Sequence, residues 1–369
     1  MKILIICPDW FPNISGFGIS CYEFVKKAEK NHEITILTPY QKNIDKKGLN
    51  VVTVPKIFNL MGRNPFVLGL LKKIKKTDYD VILLYSYMFE MNSRVAIWRK
   101  LGIIKKPVIL MYRGSLEDEV LNQLSSTMKI AKKTYDKTLG RAVFKYSDFI
   151  ISNSKPTLNV IKEKYNINTK KMTYIPSAIH LNEYKKSELN NKRILFNGRL
   201  IQNKGIKFFE QIILEIPKTW KFTIIGDGPM EDQVKKLQQK YANIEYLGKI
   251  SKPEVNKILS KTDILILPTF AEGSPRAVLE ACASGVPSIV FDVGDVKTIL
   301  DKNKNGFIIP SYNINIFIEK MKELIDDATL RKKMGNSARI YAQKNLDWTK
   351  TSNKMLNTIQ RVVDEEEKN

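Results

Sequence analysis

Cysteine and histidine are scarce, at three and two among 369 residues. Cys7, Cys21 and Cys282 are odd in number and far apart, so they supply neither a disulfide framework nor zinc-ligand spacing, and a reducing, cytoplasmic compartment is expected. His32 and His180 alone exclude a histidine-rich metal centre. No apolar run reaches the ~18 residues a membrane-spanning helix needs. The stretch Ile3–Cys7 is too short for a secretory leader and reads as a first strand. Acidic residues are also in deficit: 38 against 61 lysines and arginines, a net charge of +23. The excess is concentrated in the first half, where residues 1–180 carry 30 basic and 14 acidic side chains. Such a surface implies an anionic partner, either a nucleic acid or an acidic membrane face. A lysine-rich codon bias would raise the same number.

What is present is ordinary globular material, 43% hydrophobic and 27% charged, in a chain long enough for two cores. Short apolar runs alternate with helix-length segments: Ile3–Cys7, Ile34–Leu37, Val51–Val54, Val81–Tyr85, Val108–Met111, Phe149–Ser152 and Met172–Ile175. Nearly all-apolar runs suit parallel strands covered on both faces. The series restarts with Arg193–Asn197, Phe222–Ile225, Ile244–Leu247, Ile264–Leu267, Ser288–Phe291 and Gly306–Ile309. Two series predict two doubly wound α/β domains, one over 1–182 and one over 190–345, joined by the polar stretch Asn182–Lys192. A last helix over 346–369 is expected to pack back on the first domain. Ligands of such sheets bind beyond the carboxyl ends of the strands, so two facing sheets would form a cleft.

Three strand ends carry chemistry. In Glu272-Gly273-Ser274-Pro275-Arg276, Ser274 reads as a helix N-cap with Pro275 at the first helical position. Gly285 and Pro287 then end that helix. The free N–H groups of its first turn make a phosphate seat. Glu280, about 8 Å further along the axis, suits hydrogen bonds from sugar hydroxyls rather than phosphate contact. In Gly198-Arg199-Leu200 followed by Lys204-Gly205, a guanidinium and an ammonium are placed to neutralise a diphosphate. Gly226-Asp227-Gly228-Pro229 allows close backbone approach at the next strand end. Near the N-terminus, Gly16 and Gly18 bring backbone N–H groups to a phosphate. A damaged dinucleotide fingerprint is a poor alternative there, because eight residues follow the strand and no acid ends the second one. Asp78-Tyr79-Asp80 mimics a metal-binding D-x-D but precedes a strand, and reads as a loop.

These motifs resemble family 4 of the retaining glycosyltransferases, with two Rossmann-like domains in the GT-B arrangement. The carriers are Glu272–Glu280 as an E-x7-E motif, Gly198-Arg199-Leu200 with Lys204-Gly205, Gly226–Pro229, and Ile175-Pro176 entering the interdomain link. The resemblance implies a nucleoside-diphosphate-sugar donor, a glycan or lipid-linked acceptor and no required metal or cofactor. It implies catalytic roles for Arg199, Lys204 and Glu272, and donor binding by Gly16, Gly198, Gly226, Gly228, Gly273, Ser274, Pro275 and Glu280. Where the family often has a histidine after the strand Val108–Met111, this chain has Tyr112-Arg113-Gly114-Ser115. A guanidinium cannot act as a base, so Arg113 is assigned to an anionic acceptor or a phosphate. Ser15, Ser177-Ala178 and Asp295 are further departures from the family pattern.

With no obligatory base, the acceptor hydroxyl is expected to attack on the leaving-group face and pass its proton to the departing phosphate. A sugar-nucleotide epimerase of similar architecture is the enzymic alternative, separated by whether an acceptor is required. A nucleic-acid-binding protein is the non-enzymic one, although aromatics are not interleaved with the cations as a stacking platform requires. Two basic segments suit an anionic membrane: Pro65–Lys76, read as an amphipathic helix with Phe66, Val67, Leu70, Leu71 and Ile74 on one face, and the set Lys129, Lys132, Lys133, Lys137, Arg141 and Lys145.

Overall fold

A computed structural model describes residues 1–12, 14, 16–60, 64–113, 126–300, 304–310 and 312–368. The chain divides into two compact units. The first contains the described residues before Ala178 and returns at Trp348; the second is 178–347.

In the first unit the strands β1 (Lys2–Ile6), β2 (Glu33–Pro39), β3 (Val51–Val54), β6 (Val81–Tyr85), β7 (Val108–Tyr112), β8 (Phe149–Ser152) and β9 (Met172–Tyr174) form one parallel sheet. Its order is β3-β2-β1-β6-β7-β8-β9. Every residue of β6 and β7 is buried, as a strand covered on both faces requires. The second unit repeats the plan with β10 (Arg193–Asn197), β11 (Lys221–Ile225), β12 (Ile244–Tyr246), β13 (Ile264–Leu267), β14 (Ser288–Phe291) and β15 (Gly306–Ile309), in the order β12-β11-β10-β13-β14-β15. All these pairings are parallel. Strand order reverses at β1/β6 in one sheet and at β10/β13 in the other. The helices flanking such a reversal leave opposite faces of the sheet and open a crevice at its carboxyl edge.

Three expectations are corrected. Pro65–Lys76 is not one helix. Asn64–Val67 is a strand (β5) that pairs antiparallel with Lys56–Leu60 (β4), with Phe58 stacked on Phe66, and only Leu70–Lys75 is helical. Gly69, at φ +73°, breaks the two apart, and β-forming Phe66 and Val67 take the sheet conformation. Leu70 and Ile74 pack into the core of the unit, so the apolar face is already covered. The polar stretch 182–192 is not a free linker. Tyr184 and Leu189 enter the core of the second unit, and the Ser187 hydroxyl donates to Thr262 O at 2.7 Å. The third correction concerns Ser274 and is given with the site.

The last helix, Trp348–Glu367, belongs to the first unit. Arg99 forks onto Asp148 at 2.9 and 3.1 Å and pairs as well with Glu366 near the end of that helix. Asp78 pairs with Lys2, and Asp80 accepts from the Lys2 backbone at 2.7 Å, so this D-x-D sits at the amino edge of the sheet as structural polarity.

Candidate functional site

The carboxyl edge of the second sheet, at the β10/β13 reversal, gathers most of the residues singled out in the sequence. β10 ends in Asn197 and runs into Gly198–Gly205, while β13 runs into Pro268–Pro275. Asn203 O holds the two loops together, accepting from Phe270 N at 2.7 Å and Thr269 Oγ1 at 3.0 Å. Gly205 makes this approach possible. It lies at φ +75°, and a Cβ there would fall 1.9 Å from the Pro268 carbonyl oxygen. The loop after β11 closes on the same group: Leu200 N donates to Asp227 O at 2.7 Å, and Met230 N to Leu200 O at 2.9 Å. Gly226, at φ +138°, would carry a Cβ 1.9 Å from Gly198 O, so these two strand ends are pressed backbone to backbone. Gly228 sits on the same turn. Beneath the β13 loop, Phe270 packs among Phe208, Phe291 and Tyr312, and the Tyr312 hydroxyl donates to Phe270 O.

This packing delivers Lys204 to Glu272, whose ammonium and carboxylate form an ion pair with side chains only 17% and 14% exposed. Arg199 is exposed, and among the described residues its guanidinium has no partner. The following helix spans Arg276–Ala283. Ser274 does not cap it: Pro275 stands at the cap position with ψ 106°, and no side-chain cap bond is made. The reason is that Gly273 O accepts from Asp295 N at 2.9 Å, which ties the stretch 272–275 to the loop after β14 before the helix begins. The first-turn amides of the helix still emerge at this edge.

Glu280 is buried in the helix, and burial raises its pKa despite Arg276, whose guanidinium lies 3.8 Å from Oε1, and the more distant charge of Lys252. Asn197 Nδ2 faces its Oε2 at 3.4 Å, and Tyr184 is pressed against it from the segment read as a linker. The sequence reading had given Asn197, Arg276 and Tyr184 no role. Asn197 was legible as the last residue of a strand at the reversal; Tyr184 was not, because its docking depends on tertiary packing. The edge therefore carries an unpaired guanidinium, an ammonium–carboxylate pair, a helix N-terminus and a buried carboxylate. Such a set can bind a diphosphate through cations and amides, and hydroxyl groups through carboxylates.

Gly16 and Arg113 lie in the first unit. Gly16 opens the helix Gly16–Ala28, and a Cβ there would meet nothing within 4 Å, so no close packing demands glycine. Arg113 follows the last residue of β7. Ser15, Gly114 and Ser115 lie outside the described residues. Among the described residues no three His, Cys, Asp or Glu side chains gather as a metal site, and no helix is long and apolar enough to cross a membrane.

Comparison with known proteins identifies the family. The family described as Glycosyl transferases group 1 matches residues 181–341, and that described as Glycosyltransferase Family 4 matches residues 14–183. An uncharacterized glycosyltransferase of Methanocaldococcus jannaschii is 25% identical over 98% of both chains. The UDP-Gal:alpha-D-GlcNAc-diphosphoundecaprenol alpha-1,3-galactosyltransferase of Escherichia coli is 25% identical over 89% of both. The Anabaena protein HepE, solved in complex with UDP, superposes with a TM-score of 0.77 at 16% identity, covering 98% of this chain and all of that one. With two adjoining family matches spanning 14–341 and a shared GT-B fold, this chain belongs to the group 1, family 4 glycosyltransferases.

Proposed function

We propose that the enzyme moves a sugar from a nucleoside-diphosphate sugar to an acceptor hydroxyl with retention of anomeric configuration. The observation that carries this reading is the convergence of Arg199, Lys204, Glu272 and Glu280 on one sheet edge at the strand-order reversal. Arg199, Lys204 and the first-turn amides of the 276–283 helix take the diphosphate, with the glycine turns at Gly198, Gly226 and Gly228 leaving room for it. Gly273, Ser274 and Pro275 shape the approach to those amides. Glu272 binds the transferred sugar and Glu280 the ribose hydroxyls. The bond from the anomeric carbon to the β-phosphate oxygen breaks as the acceptor oxygen bonds to that carbon on the same face. The acceptor's proton goes to the departing phosphate. Two fixed cations stabilise the leaving charge, so we assign no role to a metal ion or cofactor.

The acceptor is a glycan or a lipid-linked glycan, the class named for the Escherichia coli relative. An anionic membrane face is the proposed cytoplasmic workplace. Supporting this, Lys133, Lys137, Arg141 and Lys145 are exposed around exposed Ile130 and Leu139, and Ile57 and Phe58 stand exposed on the β4–β5 hairpin beside Lys56. Lys132 is excluded from that surface because it pairs with Asp136. The test is a thermal-shift panel of nucleoside diphosphates and their sugars. Transfer by the best donor to lipid-linked acceptors follows, with the product anomer read by NMR. Inversion of the anomer refutes the mechanism; turnover without an acceptor favours an epimerase.

A further inference from the structure

Among the described residues Arg113 is a buried cation without a counter-ion. Its Nε and Nη1 are sealed from bulk water and have no hydrogen-bond acceptor among the described residues. Its Nη2 meets the Met355 sulfur at 3.9 Å. Among the described residues the neighbours that bear on its charge are the phenols of Tyr85 and Tyr174. Tyr85 is fully buried as the last residue of β6, beside β7, and its hydroxyl is also unpaired. Ser352, one turn before Met355 on the same helix face, has a third buried hydroxyl without a partner. Leaving a buried charge uncompensated is strongly unfavourable, and orphaned buried donors call for an occupant such as an ion or water. The cluster lies at the carboxyl edge of the first sheet, where α/β sheets receive ligands, and Arg113 keeps part of its surface exposed.

We propose that Arg113, with the Tyr85 hydroxyl, is an anion site inside the first unit that takes a phosphate or diphosphate group of the acceptor. A tetrahedral phosphate can take the guanidinium fork on two oxygens and still offer another oxygen to a hydroxyl from a different direction, which a planar carboxylate cannot. The assignment rests on the reading of the chain as a glycosyltransferase with an anionic acceptor. It gives that acceptor a chemical handle, and it makes Arg113 a recognition residue rather than a base.

The test is calorimetric titration of inorganic pyrophosphate into the full-length protein saturated with UDP, so that the donor seat is filled. The wild type binds one pyrophosphate. Arg113→Met weakens this at least tenfold, Arg113→Lys and Tyr85→Phe weaken it less, and all three bind UDP as the wild type does. Arg113→Met melts at the same temperature as the wild type or higher, because it removes an unpaired charge; a structural arginine would give a lower Tm. Geranyl diphosphate binding tighter than pyrophosphate assigns the phosphate to a lipid-linked acceptor. Equal affinity assigns it to a soluble sugar phosphate; either result keeps the site. No pyrophosphate binding, or equal binding by Arg113→Met, overturns the proposal and leaves buried water as the occupant. Should UDP fail to bind, another nucleoside diphosphate fills the seat; if none binds, the titration is run without one and the donor assignment falls, while the Arg113 comparison still decides this one.

Discussion

Replacing Lys204 by alanine separates catalysis from stability, because the same side chain serves both. Its ammonium is paired with Glu272, and both side chains are less than a fifth exposed. The pair thus stands between a surface ion pair, worth about 0–1 kcal/mol, and a buried one, whose breaking costs about 3–5 kcal/mol. A loss of about 1–3 kcal/mol is expected, since Glu272 is left half-desolvated without a cation. For a unit of this size each kcal/mol lowers Tm by about 2–4 °C. Removing one preorganised charge at the reacting diphosphate costs about 10²–10³ in kcat. Adding Glu272→Ala removes the stranded carboxylate, so the double variant recovers most of the lost stability and none of the lost turnover. The assays are urea or thermal unfolding and steady-state release of nucleoside diphosphate. Turnover within threefold of wild type in folded Lys204→Ala removes Lys204 from the mechanism. A double variant no more stable than the single one refutes the electrostatic account of the pair.

Glu280 predicts a pH dependence. Its pKa is raised in the fold by burial, so the native state holds the proton more tightly than the unfolded chain. Its contribution is therefore fully present below the ordinary value near 4.5 and fades as pH rises through the raised one. Glu280→Gln is expected to melt higher than wild type near pH 7 while losing donor affinity; a flat difference in Tm from pH 4 to 8 contradicts the assignment. Gly205→Ala forces a Cβ onto the Pro268 carbonyl at φ +75°, and should cost about 1–3 kcal/mol as well as displacing Lys204. Equilibrium unfolding and nucleotide release both read it. Ile57→Asp should weaken binding of the protein to anionic vesicles in a sedimentation assay without changing its Tm. Undiminished binding would move the membrane contact elsewhere.

Most of both sheets was legible because buried parallel strands leave near-continuous apolar runs. Val51–Val54, Val81–Tyr85, Phe149–Ser152, Arg193–Asn197 and Ser288–Phe291 begin and end where expected. The donor-side cluster was legible for a related reason: strand ends followed by glycine and charged residues mark the carboxyl edge. The β4–β5 pairing is hidden in the sequence because Pro65–Lys76 also satisfies a helical period, and Gly69 is the one residue within it that marks a break. The polarity of 182–192 hid Tyr184 and Leu189, whose burial depends on partners more than seventy residues away. Ser274 failed as a cap because a hydrogen bond to Gly273 from the next strand's loop fixes that stretch, and sequence-local capping rules cannot see such a tether.

The chain crosses from the first unit to the second and back again, near Ser177 and Trp348. Within the second unit Ile179 pairs with Asp347, and its amide donates to Leu346 O at 2.8 Å. Among the described residues the second unit is therefore one continuous stretch with its two ends fastened together. During synthesis 178–347 is made before the helix Trp348–Glu367 that returns to the first unit. A fragment of 178–347 should accordingly stand alone and bind nucleotide, whereas a chain stopped at 347 leaves the earlier-made half incomplete.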